Sequence, residues 1–320
     1  AAAARGMALG AAGLGDMSRL PEAHREPLRR SVAVAPDFVS EEEEGALAEF
    51  AEVQFRRRGM CYERGPGTAT GGCIDRYREF DALPGDFGGP EPGAAGAAVK
   101  RLRGAVKALA LAQQCGAGRA EEGLFLGRVA MDGEAALALG VVDDSVPDEL
   151  LYPTHRVIDL ALDGGLITRH VDEQETFGAL VVVLSLLSDS VVRLRRMPPL
   201  AGTRPWEPQE DQFVDVLVPR RAVYALSGLS RYAYSHEVLA GAGPTRTLRW
   251  RGSAWPQGRR LSVVCRDAGP LLRPGASGAP ARVAGELVGV GTHWPCRTTA
   301  LDADTAARIE EWMRSHSPQP

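Results

Sequence analysis

At 320 residues, with 37 Lys and Arg against 41 Asp and Glu, the chain has the length for one large domain with appendages and a formal net charge of −4. That balance excludes a molecule that is basic overall and binds nucleic acid by bulk charge, and no apolar run reaches the roughly 20 residues of a membrane-spanning helix. Five scattered cysteines, Cys61, Cys73, Cys115, Cys265 and Cys296, contain no C-x-x-C pair, which argues against a disulfide framework or a zinc site and fits a reducing compartment.

Residues 1–30 are rich in Ala and Arg without the apolar core of a secretory signal, and read as a disordered or targeting tail. Structure is expected from Ser31, beginning with a short strand at Val32-Ala33-Val34. Ser40 with Glu43 three residues on is a capping-box signature, and Ala46, Leu47, Phe50 and Val53 continue it as a helix to about Arg57. Gly65 to Gly72 and Pro84 to Gly96 are loops, and Ala97 to Gln113 is a second helix. Residues 115–149 are acidic, rich in Ala and Gly, and read as an insertion.

From Tyr152 the pattern changes to short strands: Val157–Leu160, Leu166–Asp172, Leu180–Leu186, Val191–Arg195, Phe213–Val218, Ala222–Leu226, Tyr232–Leu239 and Arg260–Cys265. Two helices followed by evenly spaced strands predict an α+β chain with a double-sheet jelly roll flanked by N-terminal helices. Residues 268–320 read as a Gly/Pro-rich linker and a small extension with a possible strand at Glu286–Val290 and a helix at Ala303–Ser315.

The chemistry is concentrated in Thr168-Arg169-His170-Val171-Asp172. Side chains alternate along a strand, so His170 and Asp172 face one way. With His236 as a third donor, two His and one carboxylate make the facial triad that holds Fe(II) and leaves positions open for a co-substrate and dioxygen. A 2-oxo acid fills two of those positions, and its far carboxylate calls for the planar fork of an arginine. Arg260, Ser262, Val264 and Arg266 share one face of the strand Arg260–Arg266, opposite Leu261, Val263 and Cys265. Two arginines on that face require an anionic partner.

H-x-D, a distant His preceded by Arg231-Tyr232, and R-x-S-x-V-x-R together resemble the AlkB family of Fe(II)/2-oxoglutarate dioxygenases, in particular its mitochondrial branch. The resemblance runs over residues 31–267 apart from the insertion. It implies that His170, Asp172 and His236 bind Fe(II), that Arg260 pairs with the distal carboxylate of 2-oxoglutarate, that Arg266 lies near co-substrate or substrate, and that Tyr224 offers its hydroxyl to the co-substrate. Ser262 and Val264 stand where the family motif usually has Asn and Thr, and the Asn-x-Tyr that contacts 2-oxoglutarate in nucleic-acid demethylases is missing near Asp159. The implied reaction is hydroxylation of a protein or metabolite C–H bond with dioxygen, coupled to decarboxylation of 2-oxoglutarate to succinate. The implied setting is the mitochondrial matrix, in fatty-acid metabolism and programmed necrosis, with the chain acting as a monomer. N-demethylation of RNA or DNA is the alternative enzyme reading. A catalytically silent jelly-roll scaffold is the alternative from another class.

Overall fold

The computed structural model describes residues 13–63, 74–88, 93–116, 151–172, 177–197, 211–241 and 247–268, and a minimal strand pairing of 282–283 with 286–287. Helix α1, Glu22–Ser31, runs straight into strand β1, Val32–Ala35. Helix α2, Glu41–Arg57, starts where the sequence predicts: the Glu43 amide donates to the Ser40 hydroxyl, and the Ser40 amide donates to the Glu43 carboxylate. Strands β2 (Ile74–Asp75) and β3 (Tyr77–Ala82) lead to a single 3-10 turn at Pro84–Phe87 and to helix α3, Ala94–Gly116. The strands β4 (His155–Leu160), β5 (Leu166–His170), β6 (Phe177–Leu186), β7 (Ser190–Arg196), β8 (Phe213–Val218) and β9 (Ala222–Leu226) follow. Helix α4 is a short piece, Gly228–Tyr232, before β10 (Tyr234–Val238), β11 (Thr247–Trp250), β12 (Ser253–Pro256) and β13 (Arg260–Ala268).

These strands form two antiparallel sheets, in the orders β1-β9-β6-β13-β4-β3 and β2-β5-β10-β7-β8, and a separate β11-β12 hairpin. Period-two alternation explains the layering. On β6, Leu180, Val182, Leu184 and Leu186 join the core under α2 and α3, whereas Val181 and Val183 join the core shared with the five-stranded sheet. Leu261, Val263 and Cys265 of β13 likewise face the helices, and Val264 faces the other sheet. The hairpin covers Val191 and Leu217 with Leu248 and Trp250.

The fold begins earlier than the expected start at Ser31. Leu14, Met17, Leu20 and Leu28 are buried in the inter-sheet core. The backbones of Gly13 and Gly15 bond to Leu217 and Asp215, so this stretch lines the outer edge of β8. A Cβ on Gly13 or Gly15 would lie 2.8 or 2.9 Å from Val34 or the Asp215 carbonyl, which explains glycine on both sides of Leu14. Within the expected strand Tyr232–Leu239, Tyr232 instead ends α4 and the strand starts at Tyr234. Strands β2, β3, β11 and β12 were not expected as strands. Residues 1–12, most of the insertion 115–149 and the expected helix Ala303–Ser315 lie outside the described residues, as does the expected strand beyond Leu287.

Candidate metal centre

His170 ends β5 and lies directly opposite His236 on β10. Directly opposed residues of an antiparallel pair point to the same face, and the two imidazole centroids are 4.1 Å apart. Asp172 is not on the strand as expected, because β5 stops at His170. It nevertheless turns back to the same point, with Oδ1 3.5 Å from His170 Nε2. One donor atom from each of His170, Asp172 and His236 lies within 4.8 Å of the others, the one such metal-sized cluster among the described residues.

The donors are prepared for a cation. His170 Nδ1 lies 2.9 Å from the Thr168 carbonyl; a carbonyl can only accept, so the proton sits on Nδ1 and the Nε2 lone pair is left for a metal. Burial opposes ionisation of Asp172, but the Arg266 guanidinium beside it prevails and holds its carboxyl well below the usual carboxylate range. Arg266 Nε donates to Asp172 Oδ2 at 2.8 Å. Burial, and then the neighbouring His170, push His236 well below the ordinary imidazole value, so it is a neutral donor near pH 7. Two imidazoles and one carboxylate are the donor set of a facial Fe(II) site.

A second polar feature lies on the same inner face. Val264 of β13, Val183 of β6 and Tyr224 of β9 are paired in a row across the six-stranded sheet. Arg260 and Arg266 flank that row along β13. Both guanidiniums, together with Asp172, act electrostatically on the Tyr224 hydroxyl, whose pKa burial raises. Arg260 is buried; its Nε donates to Ser185 Oγ at 3.1 Å and its Nη1 to Ser262 Oγ at 3.4 Å. Its Nη2 has no hydrogen-bond partner among the described residues. Burial lowers the pKa of this guanidinium, with the Tyr224 hydroxyl opposing the shift. A buried guanidinium with an unmet donor is suited to an incoming carboxylate.

No family model matches the chain. The mouse protein named alpha-ketoglutarate-dependent dioxygenase alkB homolog 7, mitochondrial, is 29% identical over 258 residues, covering 79% of this chain and 86% of the relative. The bovine protein of the same name is 34% identical over 136 residues, 41% of this chain and 53% of the relative. The chain is thus similar to AlkB homologues over most of its length. Both relatives are named as alpha-ketoglutarate-dependent dioxygenases.

The structure brings together all seven residues that the sequence singles out, with three refinements. Arg266 is an ion-pair partner of Asp172. Ser262 orients Arg260 and contacts the Ile158 carbonyl at 3.4 Å. Tyr224 sits between the two arginines. Sequence reasoning missed Ser185, which lies opposite Ser262 in the strand register; no local signal marks a partner supplied by another strand. Arg231 Nη1 donates to the Asp172 carbonyl at 2.9 Å and its Nε to the Gly178 carbonyl at 3.2 Å.

Proposed function

We propose that this chain is an Fe(II)/2-oxoglutarate-dependent dioxygenase built on a jelly-roll core, hydroxylating a C–H bond of a protein or a metabolite. His170, Asp172 and His236 hold the metal. An Fe(II) ion held by these three residues would supply the activation of dioxygen that couples hydroxylation to decarboxylation of 2-oxoglutarate to succinate and carbon dioxide. The chain's own residues prepare that chemistry. Arg266 keeps Asp172 ionised, and the Thr168 carbonyl fixes the His170 tautomer. Arg260 takes the distal carboxylate of 2-oxoglutarate, with Ser262 and Ser185 setting the plane of its guanidinium and Tyr224 donating its hydroxyl to the co-substrate.

The observation that carries the reading is the unmet Nη2 of buried Arg260 on the sheet face that also bears the Asp172 partner Arg266. The catalytic domain runs from the packed segment at Gly13 to Asp267, interrupted by the insertion 115–149 and followed by the linker and small extension of residues 268–320. The setting is the mitochondrial matrix, in a process connected with fatty-acid metabolism and programmed necrosis, and the chain works as a monomer.

Anaerobic titration of the purified apoprotein with Fe(II) and 2-oxoglutarate tests this. A saturable visible charge-transfer band that disappears in His170→Ala and weakens in Arg260→Ala is the expected result. A folded protein that gives no band would remove the dioxygenase reading.

A further inference from the structure

Two of the three metal donors are fixed by strand geometry, whereas Asp172 lies beyond the end of β5. Its carboxylate is held by Arg266, which leaves its backbone to be placed by something else. Arg231 does this. It stands on α4, which connects β9 to β10 and so immediately precedes the strand bearing His236. The side chain is buried, and it donates hydrogen bonds to the carbonyls of both Asp172 and Gly178, on either side of the connection between β5 and β6.

We infer that Arg231 is a positioning residue for the metal centre: by binding the Asp172 and Gly178 carbonyls at once, it fixes the third ligand relative to the helix and strand that carry His236. The inference rests on the metal-site reading of His170, Asp172 and His236. A guanidinium suits the task because it is planar and presents several donors in fixed directions. A lysine ammonium is a point donor on a flexible stem and reproduces the charge without the two-carbonyl geometry. Outer-shell partners that orient a ligand are typically worth about 10–100-fold in metal affinity.

Co(II) is the probe, because its visible d–d bands report the number and arrangement of ligands as well as occupancy. The full chain is titrated anaerobically as wild type, His170→Ala, Arg231→Lys and Arg231→Ala, with circular dichroism and thermal melting recorded for each. The expected result is one saturable site in the wild type and none in His170→Ala. Arg231→Ala should bind about 10–100-fold more weakly with a displaced band envelope, and Arg231→Lys should fall between. A folded Arg231→Ala protein with wild-type affinity and spectrum would overturn the inference and reduce Arg231 to ordinary scaffolding. If Arg231→Ala does not fold, Arg231→Lys decides by the same criterion: a wild-type spectrum and affinity refute the positioning role, and a displaced envelope supports it. Absence of Co(II) binding in the wild type would refute the metal-site reading and this inference together, which separates that failure from one confined to Arg231.

Discussion

Arg266 Nε donates to Asp172 Oδ2 at 2.8 Å, joining β13 of one sheet to the residue that follows β5 of the other. Both side chains are nearly inaccessible to solvent, so the pair links the two layers at the metal centre.

Breaking that pair from one side should be costly. Removing one partner of a buried ion pair typically destabilises by about 3–5 kcal/mol, because the other charge remains buried and uncompensated. Arg266→Met in the apoprotein should fall in this range by urea denaturation. Combining it with Asp172→Asn should cost much less than the sum of the two single changes. Additive single effects would show that the pair does not act as a unit.

Arg260 has a different task, and its loss should leave metal binding intact. Truncating a buried charged partner of a bound carboxylate typically costs about 2–5 kcal/mol, or roughly 30- to several-thousand-fold in affinity. The dissociation constant of 2-oxoglutarate, read from the charge-transfer band, should rise by that amount in Arg260→Ala and by less in Arg260→Lys, which keeps the charge but loses the fork. Co(II) affinity without co-substrate should be unchanged. Unaltered 2-oxoglutarate affinity would mean that the unmet Nη2 is not the carboxylate's partner.

Much of this centre was legible in the sequence because it depends on short-range periodicity. R-x-S-x-V-x-R on a strand necessarily shares one face, and that face is where Arg260, Ser262 and Arg266 are found. The capping box at Ser40 and Glu43 is equally local. Features set by another strand or by a loop left no such trace. The direct opposition of His170 and His236 is a matter of sheet register, and Asp172 reaches the site by a bend after β5. The start of the fold was missed for a related reason. Residues 13–20 form no helix or strand of their own and borrow the edge of β8, and α1 carries Pro27 and several charges.

Acid should weaken the junction between α2 and α3. Glu43 receives hydrogen bonds from Arg101, and these, helped by the Ser40 amide against the cost of burial, lower its carboxyl pKa below the usual 4.5. A carboxylate whose folded pKa is depressed contributes stability that is fully present above its unfolded value and is lost as pH falls through the folded value. Melting temperatures of wild type and Glu43→Gln should therefore differ most near neutrality and converge as pH drops below about 4.5, the unfolded value expected for Glu. A difference independent of pH would assign the effect to packing or helix capping.

The segment ahead of β1 should prove indispensable to the fold. Leu14, Met17, Leu20 and Leu28 are buried between the sheets, and His24 Nδ1 is hydrogen-bonded at 3.0 Å to the hydroxyl of fully buried Tyr234, on the same strand as His236. Each such apolar side chain contributes at most about 1.5–3 kcal/mol on burial, so together they rival the roughly 5–15 kcal/mol of net stability of an ordinary domain. Deleting residues 1–30 exposes that core, removes the backbone bonds along β8, and leaves Tyr234 without its His24 partner. The truncated protein should aggregate or lose its cooperative melting transition, and should bind Co(II) far more weakly than the full chain. A soluble truncation with an unchanged melting temperature would show that the segment merely rests on a domain already complete from Ser31.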